Sequence, residues 1–452
     1  MKLSTQLMGR NYTFHSVREV MGKANHEKSG DGLAGVAAET PQERVAARIV
    51  LSRLRVRELC ENPAVPYEED EVTRLILDDL NTRIYDEYKE MSIGELREEV
   101  LCSDSETLLR MGRGLSSEVI AAVCKLMSNL DLVYAARKIH VTAHCATTIG
   151  RPGTLSARLQ PNHPTDDVDG ITASVLEGLS YGVGDAVIGL NPVDASTASV
   201  YAILNRFAEL KARYAIPTQN CVLAHVTTAM DAVEKGAPCD LIFQSIAGSE
   251  KGNRAFGIDA GMIADARALM LARGASRGPN VLYFETGQGS ELSSDAHNGW
   301  DQLTMESRCY GFARHFAPFL VNTVVGFIGP EYLYDSRQFI RAGLEDHFMG
   351  KLHGLPMGCD CCYTNHMKAD QDDNENLAVL LAGAGCTYFM GVPHSDDVML
   401  NYQSTGYHDI AAIRETLGLS PIREFEAWLE KWGFWENGRL TARAGDASVF
   451  LR

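Results

Sequence analysis

The sequence predicts an α/β protein built on a parallel (β/α)8 barrel, a TIM barrel, with a helical N-terminal domain and a short helical C-terminal extension. From about residue 145, short apolar segments alternate with stretches of helical length. Some of these segments, such as 186–190 and 281–284, are continuously apolar, as strands buried on both faces must be. Eight such segments follow one another, which is the number that closes a parallel barrel. We therefore predict domains over residues 1–105, 106–404 and 405–452.

The N-terminal region is charged and carries two helix-start signals. Thr40, Pro41 and Glu43 form an N-cap, a proline at the first helical position and a capping-box glutamate. Ser92 and Glu95 form a second capping box. Apolar residues at near-helical spacing follow each signal, so this region is predicted to be helical.

The barrel is predicted from the alternation of strands and crossover helices. The eight strands are predicted at 154–160, 185–191, 221–227, 241–246, 280–285, 321–328, 352–360 and 387–392. Intervening stretches such as 166–179, 197–214 and 305–316 have the length of crossover helices.

The C-terminal extension carries Phe425, Trp428, Trp432 and Phe434 at helical spacing. Aromatic residues in this pattern are typical of a surface that docks on the rest of the protein, and we do not interpret them as a cofactor site.

Composition excludes several classes of function. The 42 basic and 59 acidic residues give a net charge of −17, which argues against a nucleic-acid binder and against docking on anionic lipid. The eleven cysteines show no disulfide spacing and indicate reduced thiols. No secretory signal or membrane-spanning run is apparent, so we expect a cytoplasmic protein.

Polar residues gather where the predicted strands end, which is where a barrel of this kind carries its chemistry. They include one guanidinium, two carboxylates and several amides, at Arg158, Gln160, Asn191, Gln244, Glu285 and Asp360. The set has no lysine placed for a Schiff base and no histidine and carboxylate cluster suited to a metal, so we predict no metal site. It suits a small polar zwitterion or amino alcohol, with a cofactor for any difficult bond cleavage.

Each of these features also has a structural interpretation. Arg158 and Glu285 can form an ion pair that only closes the barrel, and the Asn191 segment can be a simple turn. His225 can be a core histidine with satisfied hydrogen bonds. The cysteines around Asp360 match no established zinc pattern and suggest buried thiols.

Longer motifs at the strand ends resemble the large (heavy) subunit of ethanolamine ammonia-lyase, an adenosylcobalamin-dependent family. The resemblance runs over essentially the whole chain. The segments that carry it are SARLQP (156–161), GDAVIG (184–189), LIFQS (241–245), YFETGQG (283–289), VVGFIGPEYLY (324–334) and GCDCCYTNH (358–366).

The resemblance implies a catalytic subunit that converts ethanolamine to acetaldehyde and ammonia by a radical mechanism initiated with adenosylcobalamin. It also implies a small (light) subunit that holds much of the cobalamin, and large subunits assembled as dimers and then as a trimer of dimers. Whether the enzyme works inside a bacterial microcompartment is left open by the sequence.

The resemblance also implies the roles of individual residues. Glu285, Arg158 and Asp360 would be catalytic, and Arg158, Gln160, Asn191, Glu285 and Asp360 would contact the substrate. Pro192, Gln244, Ser293 and Met399 would contact cobalamin, while Phe327 and Leu400 would wall the cavity. The chain departs from the expected pattern at Ala255, where a glutamate near the adenosyl ribose is expected.

Two other functions stay open at this point. One is a different cobalamin-dependent barrel enzyme, such as a mutase or a diol dehydratase relative. The other is a catalytically silent assembly subunit, against which the intact polar set at the strand ends argues.

Overall fold

A computed structural model describes residues 2–326, 328–399 and 402–451 of the chain. Its centre is an eight-stranded parallel barrel, as predicted. We number the barrel strands in chain order: β1 (Ser156–Leu159), β2 (Val187–Leu190), β3 (Asn220–Val222), β4 (Ile242–Ser245), β5 (Leu282–Thr286), β6 (Leu320–Gly326), β7 (Met357–Thr364) and β8 (Tyr388–Gly391).

The strands pair in parallel in the order β3-β2-β1-β8-β7-β6-β5-β4. The pairing of Tyr388 with Ser156 joins β8 to β1 and so closes the ring on that side. Between β3 and β4 the contact is looser, where the Leu241 amide donates to the Asn220 carbonyl at 3.2 Å. Strands β1, β2, β3 and β8 are buried at every position, and β2 shows the continuous apolar run that burial on both faces requires.

Helices surround the barrel between successive strands. They span Val168–Ser180, Thr197–Tyr214, Val226–Glu234, Glu250–Ala255, Ala260–Arg273, Ser290–Ser293, Gln302–Phe316, Ser336–Leu352, Gln371–Gly383 and Tyr407–Leu417. The predicted helix at 197–214 is confirmed at both ends, and those at 166–179 and 305–316 are confirmed within three residues.

The N-terminal region is mostly helical, as predicted. Its helices span Val17–Ala24, Ser29–Leu33, Pro41–Leu51, Val56–Cys60, Glu71–Asp78, Thr82–Tyr88, Ile93–Cys102, Ser105–Gly112, Ser117–Lys125 and Asn129–Lys138. The side chains of Thr40 and Ser92 accept from the backbone amides of Glu43 and Glu95, so both predicted helix starts are confirmed.

Buried ion pairs attach the N-terminal helices to the barrel helices. Arg308 bonds the carboxylates of Glu118 at 2.6 Å and Asp70 at 2.8 Å, and its side chain is fully buried. Lys125 pairs with Asp301 at 2.7 Å, again with no exposed side-chain surface. These contacts hold the helical region against the barrel helix Gln302–Phe316 and its N-cap, Asp301. The division at residues 105 and 404 remains a prediction.

Two predicted strands are displaced. The prediction over 221–227 is wrong beyond Val222, because His225 is the N-cap of the helix Val226–Glu234. The seventh strand was predicted over 352–360 but runs from Met357 to Thr364, since Leu352 still belongs to the preceding helix.

Short pairs of antiparallel β-strands complete the fold. A hairpin of Ser4–Leu7 and Arg10–Thr13 lies within the region predicted to be helical. Other pairs are Ala143–His144 with Thr148–Ile149, and Trp435–Glu436 with Arg439–Leu440. Asp396–Asp397 pairs with Tyr402–Gln403, and this second strand also pairs with the end of β7. We call Asp396–Asp397 and Tyr402–Gln403 the mouth hairpin.

The C-terminal extension forms the helix Arg423–Trp432 and packs its aromatic side chains inward. Trp428 stacks on Phe450 at 5.8 Å between ring centroids, and its indole nitrogen donates to the Tyr214 carbonyl at 2.8 Å. The predicted docking role of these aromatics is therefore confirmed. Within the described ranges, no helix is both long enough and apolar enough to cross a membrane.

Candidate active site

A cavity of about 480 Å³ opens at the carboxyl ends of the barrel strands. It is lined by side chains from several strand ends and the loops after them: Arg158, Gln160, Asn191, Pro192, Leu223, His225, Phe243, Gln244, Ser245, Ile246, Phe256, Glu285, Thr286, Ser290, Val324, Ile328, Met399 and Tyr402. We call the hydrogen-bonded side chains around Arg158 the polar wall, and the apolar side chains of the lining, such as Phe243, the apolar wall. The volume lies within the range of small-molecule sites.

The polar wall is organised around Arg158 at the end of β1. Its guanidinium reaches across the barrel and bonds a carboxylate oxygen of Glu285 at 2.6 Å. The same nitrogen donates to the Tyr283 hydroxyl at 2.6 Å. Burial alone lowers the pKa of Arg158, but the neighbouring Tyr283 and Glu285 raise it above its usual value, so the guanidinium stays charged.

One carboxylate oxygen of Glu285 accepts several hydrogen bonds. Oε1 accepts from Arg158, from the Tyr283 hydroxyl and from Asn322 Nδ2, the last at 3.1 Å. The Glu285 side chain remains 15% exposed to the cavity, whereas that of Arg158 is 1% exposed. This ion pair therefore faces an open cavity and is not sealed inside the barrel.

Gln160 and Asn191 complete the polar wall. The second terminal nitrogen of Arg158 donates to Gln160 Oε1 and, at 3.4 Å, to Asn191 Oδ1. Gly189 leaves room for this side chain, since a Cβ there would lie 3.1 Å from Arg158 Nε. The structure thus brings Arg158, Gln160, Asn191 and Glu285 together, as the sequence predicted.

Asp360 lies one layer behind the cavity, within β7. It is 2% exposed, and its oxygens accept from Tyr402 Oη at 2.9 Å and Ser404 Oγ at 2.6 Å. Burial raises the pKa of Asp360 to about 7, although the hydrogen bonds from Ser404 and Tyr402 lower it. Tyr402, which was not predicted, lines the cavity in front of this carboxyl group.

The predicted cofactor contacts divide into two groups. Pro192, Gln244 and Met399 line the cavity, together with apolar side chains such as Phe243. Ser293 is exposed and does not line the cavity, and its hydroxyl donates to the carbonyl of Ser290, which does. Phe327 and Leu400, predicted to wall the cavity, lie outside the described residues.

His225 lies at the rim of the cavity with both ring nitrogens engaged. Nε2 bonds the Phe256 carbonyl at 3.1 Å and Nδ1 bonds the Thr227 hydroxyl at 2.8 Å. It also caps the helix Val226–Glu234. These contacts support the structural interpretation of this histidine.

The cysteines beside Asp360 are buried thiols. Cys359 and Cys361 lie 3.6 Å apart between sulfur atoms, and burial raises the pKa of the Cys359 thiol well above its ordinary value. Among the residues with described positions, no group of three or more His, Cys, Asp or Glu side chains is arranged to hold a metal ion.

Several site residues were missed in the sequence, and two of them, Tyr283 and Asn322, carry a signal in hindsight. Tyr283 lies two positions before Glu285 and so shares its face of β5. Asn322 is the register partner of Glu285 on β6. Asp397 and Tyr402 belong to the mouth hairpin, whose two-residue strands have no local pattern.

Comparisons with known proteins show the family of the chain. The family described as "Ethanolamine ammonia lyase large subunit (EutB)" matches residues 12–443. The ethanolamine ammonia-lyase large subunits of Escherichia coli (strain K12) and Salmonella typhimurium are each 57% identical over 453 residues, covering 100% of both chains. Among solved structures, phospho-2-dehydro-3-deoxyheptonate aldolase from Thermotoga maritima is 11% identical, with a TM-score of 0.38 over 62% of this chain and 76% of that chain. That similarity is too low to support an argument.

Proposed function

This chain belongs to the ethanolamine ammonia-lyase large subunit family, and from that premise we propose that its barrel cavity is where ethanolamine is converted to acetaldehyde and ammonia. The chain is a carbon–nitrogen lyase and the catalytic subunit of its enzyme. A single observation of the site supports this most: the paired charges of Arg158 and Glu285 face a cavity of about 480 Å³.

The polar wall matches a two-carbon amino alcohol in its donors and acceptors. Within the described part of the chain, the hydrogen bonds to the Glu285 carboxylate all reach Oε1, so Oε2 can accept from the ammonium and the hydroxyl of ethanolamine. Arg158 and Asn191 would direct the hydroxyl, with Arg158 stabilising charge as the C–N bond shifts. Gln160 would accept a hydrogen bond from the ammonium through its amide oxygen, and the negative charge of Asp360 behind the cavity would attract the same group.

The apolar wall offers carbon surface to a large ring system such as the corrin of adenosylcobalamin. Pro192, Phe243 and Met399 offer carbon surface, and the Gln244 amide lies among them. In the proposal, Pro192, Gln244 and Met399 hold cobalamin from inside the mouth and Ser293 contacts it from outside. When bound, adenosylcobalamin supplies the radical chemistry that breaks the C–N bond. The task of this chain is to orient ethanolamine and exclude water, with Phe327 and Leu400 proposed as part of the wall.

A small subunit is the proposed second partner, and it would cover the mouth. Val193 is 54% exposed and Val398 is 59% exposed, each next to a residue that lines the cavity. Exposed aliphatic side chains around an opening support coverage by another chain. Self-association into dimers and a trimer of dimers, and location inside a bacterial microcompartment, are further proposals. Sedimentation of the complex and fractionation of host cells test them.

Reconstitution tests the proposed function. The purified chain is incubated anaerobically with the small subunit and adenosylcobalamin, and acetaldehyde and ammonia are assayed with ethanolamine, with propane-1,2-diol as the competing substrate. We expect both products from ethanolamine and no aldehyde from the diol. Turnover of the diol in preference to ethanolamine would favour a diol dehydratase. A cobalamin spectrum that shifts on binding without any product would favour a silent assembly subunit.

A further inference from the structure

We propose that Asp397, on the mouth hairpin, is a positioning residue that fixes the Gln160 amide with its oxygen toward the cavity and thereby sets the affinity for the substrate ammonium. The inference rests on the proposed function, which places the ammonium beside Gln160. Asp397 is 1% exposed and approaches Gln160 from the side opposite Arg158.

The amide of Gln160 is oriented by two partners of opposite kind. Arg158 donates to Gln160 Oε1, and Gln160 Nε2 donates to Asp397 Oδ2. A guanidinium only donates and a carboxylate only accepts, so together they allow one orientation of this amide. Oε1 keeps a second lone pair, and Gln160 lines the cavity, so this oxygen can accept from an ammonium group.

Asp397 uses both of its oxygens as acceptors. Oδ2 also accepts from Asn162 Nδ2 at 2.9 Å, and Oδ1 accepts from the Met399 amide at 3.0 Å. Asn162 Oδ1 in turn accepts from the Asn191 amide at 2.8 Å. One carboxylate therefore links Gln160, the end of β2 at Asn191, and the backbone of Met399, which also lines the cavity.

The mouth hairpin holds a second predicted substrate residue from its other strand. Tyr402 donates to Asp360 at 2.9 Å, and Ser404, just after the strand, donates to it at 2.6 Å. Asp397 and Tyr402 are register partners in the hairpin. The two side chains assigned to the ammonium, Gln160 and Asp360, are thus both positioned from this one element.

Asp397→Asn tests the proposal, because an amide offers one acceptor atom where the carboxylate uses two. We expect KM for ethanolamine to rise by about tenfold, the cost of one misplaced hydrogen bond to a charged group, with kcat changing less. Asp396→Asn is the matched control: Asp396 is exposed on the same strand, and we expect KM within about twofold of the unmodified enzyme.

The dependence on Gln160 separates positioning from a general structural role. In Gln160→Glu, the side-chain atom that faces residue 397 accepts a hydrogen bond where the amide nitrogen donated one. Asp397→Asn then supplies a matching donor. We therefore expect Asp397→Asn to lower kcat/KM less in the Gln160→Glu background than in the unmodified enzyme, or to raise it. The proposal would be contradicted if the changes in kcat/KM of the two single variants combine independently, within about twofold, in the double variant. A greater loss of kcat/KM from Asp397→Asn in the Gln160→Glu background would also contradict it. If Asp397→Asn fails to assemble, assembly of the double variant supports the proposal, and failure of both contradicts it.

Measuring ethanolamine binding to the holoenzyme by calorimetry distinguishes a failure of this inference from a failure of the proposed function. If the unmodified enzyme binds ethanolamine through Asp397 and Gln160 but forms no acetaldehyde, the proposed function fails and the inference stands. If acetaldehyde forms at the same KM in Asp397→Asn and Asp396→Asn, the inference fails and the function stands.

Discussion

Arg158 and Glu285 meet at 2.6 Å although they come from β1 and β5, which lie on opposite sides of the barrel. Their bond crosses the carboxyl end of the barrel and forms part of the polar wall, and Tyr283 and Asn322 also donate to the Glu285 carboxylate. Substrate affinity and charge stabilisation are both predicted to depend on this one contact.

Replacing Glu285 with glutamine should lower turnover by at least about 10²-fold, the range for loss of a group that handles protons in the transition state. The amide keeps the shape of the side chain but loses the charge that the ammonium and Arg158 require. Steady-state kinetics of the reconstituted enzyme measures the loss, with cobalamin binding as the control for an intact mouth. Near-normal turnover would remove Glu285 from the central role.

Replacing Arg158 with lysine should not preserve activity. The guanidinium uses one nitrogen for Glu285 and Tyr283 and another for Gln160 and Asn191, a span that a single ammonium cannot cover. Loss of two charged hydrogen bonds predicts a fall of about 10²-fold or more in kcat/KM. A lysine variant within about threefold of the unmodified enzyme would contradict this geometry.

Asn191→Ala and Met399→Ala should separate the two walls of the cavity. We expect Asn191→Ala to weaken ethanolamine binding by about tenfold and to affect cobalamin less, because its amide bonds Arg158 on the polar wall. Met399→Ala should weaken cobalamin binding more than ethanolamine binding, since Met399 lines the cavity with an apolar side chain that is proposed to contact the corrin. Titration of each complex with both ligands gives the ranking, and a reversed order would overturn the assignment of the walls.

The pH dependence of substrate capture should report on Asp360. Because burial raises the pKa of Asp360 to about 7, this group is protonated below that pH and loses the charge that attracts the ammonium. We expect kcat/KM for ethanolamine to fall as the pH drops below about 7. Ser404→Ala removes a hydrogen bond that lowers the pKa of Asp360, so the fall should begin at higher pH.

A pH profile of Ser404→Ala that coincides with that of the unmodified enzyme, or moves to lower pH, would contradict this assignment. The raised pKa also has a consequence for stability. The folded chain binds this proton more tightly than the unfolded chain, so the stabilising contribution is present at acid pH and is lost as the pH rises toward about 7.

Buried and exposed ion pairs should differ in their contribution to folding stability. Arg308→Ala leaves the carboxylates of Asp70 and Glu118 buried without their partner and should lower the free energy of unfolding by about 3–5 kcal/mol. Glu90→Gln removes the partner of Arg55 and Arg57, whose side chains are about half exposed, and should cost less than about 1 kcal/mol. Urea unfolding followed by circular dichroism compares the two variants, and equal losses would contradict this account of how the N-terminal helices are attached.

The barrel could be predicted because strands such as β2 are buried on both faces and therefore continuously apolar. Strand ends were harder to predict. The apolar run through Leu352 and Leu355 does not show where the helix stops, so the seventh strand was predicted too early in the chain. The hairpin at Ser4–Leu7 was missed although Met8 and Gly9, both at positive φ, mark its turn.

The polar wall could also be predicted, because strand ends in a parallel barrel meet at one face. The residues that hydrogen-bond the polar wall from behind could not be predicted. Asp397 is 237 residues from Gln160 in sequence, and nothing near either residue indicates that they bond. Asp360 was placed in the cavity, but Tyr402 from a hairpin of two-residue strands stands in front of it. Such contacts depend on the closure of the barrel, so no local pattern records them.

The structure of the complete enzyme with small subunit, cobalamin and ethanolamine bound tests the central claim most directly. The account predicts ethanolamine within hydrogen-bonding distance of Arg158 and Glu285, its nitrogen toward Gln160, and the corrin over Pro192 and Met399. Ethanolamine bound at another surface, or a corrin that leaves the cavity open to bulk water, would contradict it.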